Sequence, residues 1–294
     1  MKVTLLPDVS SEPGGRSVAI GTFDGVHLGH REVIRGSDTV LTFEPHPLSV
    51  IRPEATPKLL NTFAVKRDLI AGLGVKELVV IPFDRSFSAQ SAEEFVHEVL
   101  IAKLGARRVS VGENFRFGKG AQGTEELLRS HSEFETHVTP LVEVEGETVS
   151  STQIRGLVKA GDVEEAVAFL GGAFLFEGEV VHGDKRGREL GMATANLVPD
   201  DRFVCPGHGV YAAFAHDHPA AVNVGVRPTF NTGRGLLVEA HLIGFKGDIY
   251  GDTLRIAFLQ KMRGERAFES VEALVEQMNR DVEQAAATVS RRCL

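Results

Sequence analysis

Two histidines three residues apart, His27 and His30, stand in the run Gly21-Thr22-Phe23-Asp24-Gly25-Val26-His27-Leu28-Gly29-His30. Imidazole N–H groups donate to phosphate oxygens, and glycines such as Gly21 and Gly25 let a backbone approach a ligand closely. A bare His-x-x-His also serves as a surface pair or as half of a metal site, so the spacing alone leaves the reading open. The flanks narrow it. Ser17-Val18-Ala19-Ile20 reads as a buried strand, and Arg31-Glu32-Val33-Ile34 as the body of a helix. In an open parallel sheet such a junction lies at the carboxyl end of a strand, where ligands bind, and the helix start offers N–H groups to a phosphate.

Other unusual clusters follow: Phe43-Glu44-Pro45-His46-Pro47, Pro82-Phe83-Asp84, Gly112-Glu113-Asn114-Phe115-Arg116-Phe117-Gly118 and Ser150-Ser151-Thr152-Gln153-Ile154-Arg155. Each has a plain alternative. Pro45 and Pro47 around His46 make a rigid turn, Phe115 and Phe117 have core spacing, and Ser150 to Thr152 suit a helix cap. Gly118-Lys119-Gly120 is no phosphate loop: five residues separate Gly112 from Gly118, and no Ser or Thr follows Lys119.

The elements that must position these clusters alternate. Val3–Leu6, Val18–Ile20, Val40–Phe43, Glu77–Ile81, Arg108–Val111 and His137–Val142 read as strands. Helical spacing over Thr62–Leu73, and a capping box at Ser91-Ala92-Glu93-Glu94 opening a run through Leu104, supply helices between them. Alternating β and α segments imply a parallel, doubly wound sheet, with every cluster at the carboxyl edge of its strands. One crossover is short. Only Arg31 to Asp38 separate His30 from the next strand, so the first helix holds about two turns, with a more open wall beside it.

The histidine run, Thr42-Phe43-Glu44-Pro45-His46-Pro47, the Gly112–Gly118 segment and the Ser150–Arg155 segment, in this order, resemble the FMN adenylyltransferase module of the bacterial riboflavin kinase/FAD synthetases, whose histidine motif is that of the class I nucleotidyltransferases. The resemblance implies a Rossmann-like nucleotidyltransferase domain over residues 1–170. It implies an ATP site at Gly21, Phe23, Asp24, Gly25, His27, His30, Gly112, Asn114, Ser151, Thr152 and Arg155, and a flavin site at Pro45, His46, Pro47 and Phe83. Among these, His27, His30, Asn114 and Arg155 are the implied catalytic groups. The chemistry suits them: the FMN phosphate is already an anion, so its attack on ATP needs positioning and charge stabilisation more than a strong base.

After a second capping box, Asp162-Val163-Glu164-Glu165, and a stop at Gly171-Gly172, the grammar changes. Short strands at close spacing, Phe174–Val181, Gly209–Phe214, Ala221–Val226, Leu236–Leu242 and Thr253–Phe258, read as an antiparallel barrel. A helix over Ser270–Ala287 ends the fold. A basic glycine loop, His182 to Gly191, leads to Thr194 and Asn196, and alternation puts Glu239 and His241 on one face of a strand. Out of context the loop is a solvated turn and Glu239 an exposed carboxylate.

This half resembles a riboflavin kinase over residues 173–294, through His182-Gly183, the Thr194/Asn196 segment, Asn223 to Phe230, the Glu239/His241 strand and Asp248-Ile249-Tyr250-Gly251. The resemblance implies ATP contacts from Gly183, Lys185, Gly187, Arg188, Thr194 and Asn196. Thr194 and Asn196 would hold Mg²⁺ with the nucleotide, and Glu239 would be the general base on the riboflavin hydroxyl. Ala193 stands where the family usually has proline, which implies a less pre-organised loop and a weakened kinase. Gly244 replaces an expected acidic residue, which leaves the loop contacts there open.

Length and composition bound the rest. A chain of 294 residues, 43% hydrophobic and 24% charged, suits two soluble domains. Its net charge of −8 argues against a general nucleic-acid partner. Cys205 and Cys293 make no disulfide or zinc framework, the start is too soon broken for a signal peptide, and no run spans a membrane. The expectation is a cytoplasmic enzyme, monomeric or weakly associating, with ATP, riboflavin and FMN as substrates and Mg²⁺ as cofactor. Two alternatives stand beside it: an adenylyltransferase with a decayed kinase half, and a non-catalytic flavin or nucleotide sensor. A sensor would not need His27, His30, Thr194 and Glu239 together.

Overall fold

The computed structural model describes residues 1–10, 12–182, 193–226 and 236–292, excepting the side chains of Val226 and Arg292. Two compact units emerge, Met1–Pro57 with Phe63–Ser150, and Lys58–Thr62 with Ser151–Leu294.

In the first unit the apolar runs become β1 (Lys2–Leu5), β2 (Arg16–Ile20), β3 (Thr39–Glu44), β4 (Glu77–Pro82), β5 (Ala106–Gly112) and β6 (Glu135–Thr139). They form one sheet in the order β1-β4-β3-β2-β5-β6. Every pairing is parallel. The last strand ends at Thr139, short of the expected Val142, because Pro140 has no N–H to continue the ladder. Side chains alternate between two cores. Val18, Ile20, Leu41, Val79 and Val109 face one layer with Phe95 and Leu100; Ala19, Val40 and Leu78 face the other with Val33, Ile34 and Ile70. Strand order reverses at β2, between β3 and β5, which is where open α/β sheets take ligands.

Helix α1 (Leu28–Ile34) has seven residues, the two turns that the short crossover allows. Beside it lies a cleft of about 520 Å³ lined by Glu32, Arg35, Arg108, His137 and Val142. Val142 is also 4.0 Å from where a Cβ on Gly29 would stand, so this open side reaches the histidine run. Helix α2 (Pro47–Ile51) and α3 (Phe63–Gly72) follow, then α4 (Arg85–Ser88) and α5 (Ala92–Glu94). The Ser91/Glu94 capping box forms reciprocally. The helix then widens into π turns over Phe95–Lys103, and Leu104 N–H reaches the Val99 carbonyl five residues back at 2.9 Å. Helix α6 (Glu125–Ser130) precedes β6, and a small hairpin, β7 (Glu143–Val144) with β8 (Glu147–Thr148), ends the unit.

Opposite the carboxyl edge, Glu77 opens β4 as a buried carboxylate. It accepts from Thr4 Oγ1 at 2.7 Å and Arg16 Nε at 3.1 Å, and Lys2 Nζ lies 3.2 Å away. Burial pushes its carboxyl up, but those three donors and the Arg16 charge outweigh burial and hold it below its ordinary value. The stabilisation is present above the unfolded carboxylate pKa and is lost as pH falls through the depressed folded value. Arg16→Met removes one of three donors, leaving Thr4 and Lys2 in place, and should destabilise the first unit by about 1–3 kcal/mol, read as a lower urea midpoint at neutral pH. The loss should shrink in acid, where Glu77 is neutral in either protein.

The second unit begins with α7 (Ser151–Ala160) and α8 (Val163–Leu170). By compactness these helices group with the barrel. The turn between them shows why. Gly161, at φ +87°, sits where a Cβ would meet Lys261 Nζ at 2.6 Å and the Tyr211 hydroxyl at 2.7 Å. The expected capping box at Asp162 does not form: its backbone, at φ −84° and ψ 59°, is not extended, and its side chain caps nothing.

The barrel is closed in the order β10-β13-β12-β11-β14-β9. Its strands are β9 (Phe174–Val181), β10 (Ala195–Val198), β11 (Gly209–Ala215), β12 (His218–Val226), β13 (Leu236–Leu242) and β14 (Thr253–Arg263). All pairings are antiparallel. Sequence reading does not include β10 and stops β14 at Phe258. Tyr211, Ile256 and Phe258 are fully buried. The terminal helix α9 (Val271–Arg292) packs on β11, β12 and β14, with Arg263 held by Asp281 at 2.7 Å.

Candidate active sites

In the first unit the chain leaves β2 with Gly21 N–H bonded to the Leu41 carbonyl at 3.2 Å. It then turns tightly, with Phe23, Gly25 and Val26 at φ +50°, +91° and +44°. The turn delivers His27 to the N-cap of α1, where its Nδ1 accepts from His30 N–H at 3.3 Å. That fixes the neutral tautomer: Nδ1 is the acceptor, so Nε2 carries the proton and is the donor. The His27 and His30 rings stack at 3.6 Å and 17°. A Cβ on Gly29 would lie 3.3 Å from the His27 ring, so glycine keeps this space clear. Because His27 takes the His30 N–H, ring nitrogens rather than that amide are the donors here. The expectation of a free helix start is corrected to this extent.

Two expected ligand residues are core residues. Phe23 is 1% exposed and stands edge-on to His30 at 5.3 Å, so it backs the imidazole. Phe83 is 8% exposed and edge-on to Phe43 at 5.8 Å, in a ring series that runs through Phe87 and Phe95 to Phe117. Both pack within the hydrophobic cores. Phe117 is likewise buried, with Phe115 stacked on it at 5.5 Å. Asn114 is exposed in the turn after β5, next to Gly112, across the strand-order reversal from His27. The Pro45-His46-Pro47 segment forms a rigid turn. The Glu44–Pro45 bond is cis, and His46 Nδ1 caps α2 through Leu48 N–H at 3.2 Å.

Lys66 escaped the sequence reading. It lies on α3 at 9% exposure, with Nζ 3.4 Å from the Thr22 carbonyl and 3.7 Å from Glu44 Oε2. Burial pushes its ammonium below the ordinary value, countered in part by Glu44 and Asp24. One cation thus ties the histidine turn to the strand end that carries Pro45-His46-Pro47. Its only sequence signal is a lysine inside an apolar helical stripe.

Ser151, Thr152 and Arg155 stand on α7 of the second unit, where Arg155 Nη1 approaches Thr152 Oγ1 at 3.5 Å. In the barrel, register does what spacing cannot. Glu239 on β13 pairs with Asn196 on β10 and with Asn223 on β12. Its neighbours Val238 and Ala240 point into the barrel, so Glu239 faces outward in a polar row with both asparagines. Asn223 Nδ2 lies 3.5 Å from Glu239 Oε2, and Asn196 Nδ2 is 3.5 Å from the Thr194 carbonyl. His241 Nδ1 donates to the Ala193 carbonyl at 2.8 Å, which anchors the loop where proline was expected. His182 and Tyr250, from separate stretches, meet at 4.0 Å between ring centroids. Gly183, Lys185, Gly187 and Arg188, and the Arg227 to Phe230 segment, lie outside the described residues. Cys205 belongs to neither site: burial pushes its thiol up to about 12, which makes it inert.

Residues 9–153 match the FAD synthetase family and residues 170–289 the riboflavin kinase family. A bifunctional riboflavin kinase/FMN adenylyltransferase of Pseudomonas fluorescens is 35% identical over 299 residues, covering 96% of either chain. That of Bacillus subtilis is 32% identical over 297 residues, covering 94% of this chain and 93% of its own. A crystal structure from Streptococcus pneumoniae, named a macrolide-efflux protein, is 31% identical with a TM-score of 0.85, over 98% of this chain and 99% of that one. Among the described residues no helix is long and apolar enough to cross a membrane. Both family matches fall in order along one chain that aligns with these relatives almost end to end, and this chain belongs to the bifunctional riboflavin kinase/FMN adenylyltransferase family.

Proposed function

We propose that the barrel phosphorylates riboflavin to FMN with ATP, and that the first unit's sheet carries the adenylylation of FMN to FAD with release of pyrophosphate. The observation that carries this reading is that the His27/His30 turn lies within the FAD synthetase match and the Asn196–Glu239–Asn223 row within the riboflavin kinase match. Incubation with riboflavin, ATP and Mg²⁺, followed by separation of the flavins, tests it: both FMN and FAD should form. If only FAD forms, and only from added FMN, the kinase half is inactive.

In adenylyl transfer an anion attacks an anion, so the difficulty is charge and alignment. The His27 Nε2–H and the His30 ring donate to the ATP phosphates. Gly21, Asp24, Gly25 and Gly112 shape the nucleotide turn, and Asn114 binds nucleotide from the β5 side. The family resemblance assigns phosphate contacts to Ser151, Thr152 and Arg155 as well. Pro45, His46 and Pro47 wall the flavin, with Phe83 supporting them from the core. Lys66 is a positioning residue. Lys66→Met should lower kcat/KM for FAD formation by about 10–100-fold with KM raised for both ATP and FMN, because it loosens two loops at once. FMN formation should not change.

In the kinase the nucleophile is a hydroxyl, which needs a base, and Glu239 supplies it. The donors beside Glu239 fit Mg²⁺: the Thr194 hydroxyl and the Asn196 amide oxygen are hard oxygen ligands. Bound there, Mg²⁺ neutralises phosphate charge. Among the described residues, the segment that carries Thr194 is held by His241 at the Ala193 carbonyl and by Asn196 at the Thr194 carbonyl. Ala193→Pro retains both carbonyls and adds a fixed φ, so the affinity for Mg–nucleotide should rise by about 2–5-fold in equilibrium binding. Unchanged affinity would mean that the His241 contact already orders the loop.

A further inference from the structure

A third cluster, sharing no residue with either candidate site, has the make-up of a metal centre. Glu93 on α5, His97 on its π-helical continuation and His131 just after α6 place one ligand atom each within 4.8 Å of one another. Glu93 Oε2 lies 3.3 Å from His131 Nε2 and 3.9 Å from His97 Nε2. With metal–ligand bonds of about 2.0–2.1 Å, the edge of a tetrahedron is about 3.3 Å. The Glu93–His131 pair already has that spacing, and the side chain that must swing in, His97, is 59% exposed.

The fixed member is His131. Its side chain is 11% exposed and its ring stacks on Phe134 at 19°. Its second nitrogen, Nδ1, faces Glu133 Oε2 at 3.8 Å. A carboxylate behind the far nitrogen is the arrangement that orients a metal-bound imidazole and raises its basicity. Glu93 therefore stands at one nitrogen of His131, with the third ligand beside it, and Glu133 stands at the other.

We propose that Glu93, His97 and His131 bind a borderline-soft divalent cation, Zn²⁺ above all, with water in the fourth position. Two imidazoles and one carboxylate favour zinc over magnesium, which prefers oxygen donors alone. The site would clip the segment ahead of β6, an edge strand that pairs only with β5, onto the helix between β4 and β5. Its role is therefore to steady the first unit and not to take part in either reaction.

The test uses the full chain, stripped with chelator and free of nucleotide and Mg²⁺. Zn²⁺ is titrated in by calorimetry, with Co²⁺ in parallel for the visible absorption of four-coordination. His97→Ala and Glu93→Gln change exposed side chains, and retention of FAD formation from added FMN shows that they fold. One equivalent should bind the wild type, at least about tenfold more weakly in each variant, since even outer-shell changes cost that much. Zinc should raise the melting temperature of the wild type and not of His97→Ala. If the wild type binds no zinc, or if both variants match its affinity and stoichiometry, the cluster is no more than a glutamate–histidine contact and the proposal falls. Comparison across variants removes any zinc taken up near Thr194 and Asn196.

Discussion

His30→Ala should lower FAD formation from FMN and ATP by about 10²–10³-fold, the cost of removing one preorganised donor from a charged transition state. FMN formation from riboflavin should be unchanged. The substitution is clean because of how the turn is built. The α1 cap uses the backbone N–H of residue 30 and the Nδ1 of His27, so alanine at position 30 leaves the cap in place. What disappears is the ring that stacks on His27 and meets the edge of Phe23. His27→Ala removes the ring and the cap together. It should cost about 0.5–2 kcal/mol of stability besides the same loss of FAD formation. Measuring rate and urea midpoint for both variants separates chemistry from folding. If His30→Ala also stopped FMN formation, the assignment of the two reactions to separate constellations would be wrong.

The histidine run was legible because its glycines and its flanking strand and helix are local features. The length of α1 was legible for the same reason: the loop between two strands bounds what fits inside it. What sequence could not give was anything set by contacts between distant segments. Lys66 reads as an ordinary helical lysine until α3 is laid against the ends of β2 and β3, where its ammonium finds Thr22 and Glu44. The burial of Phe23 and Phe83 in the cores was likewise not legible, because an aromatic ring beside a motif packs as readily as it binds. The capping box at Ser91 formed and that at Asp162 did not. The second lies in a tight helix-to-helix turn at Gly161, where the chain is bent to fit Tyr211 and Lys261, and its backbone is not free to take the cap conformation.

Glu239→Gln should lower FMN formation by about 10²–10⁴-fold, the range for removal of a general base, and leave FAD formation from added FMN intact. The barrel register makes glutamine the informative replacement. Residue 239 lies between Asn196 and Asn223 on the outer face, and Asn223 Nδ2 approaches its carboxylate at 3.5 Å. Glutamine retains the length and an oxygen for that donor, so the row stays in place, but it accepts no proton from the riboflavin hydroxyl. Asn223→Ala should have a smaller effect, about tenfold, because it removes an orienting partner and leaves the carboxylate. If Glu239→Gln kept most of the rate, the hydroxyl would be activated by positioning alone. The outward-facing row would then be a binding surface for nucleotide, and the carboxylate merely its neighbour.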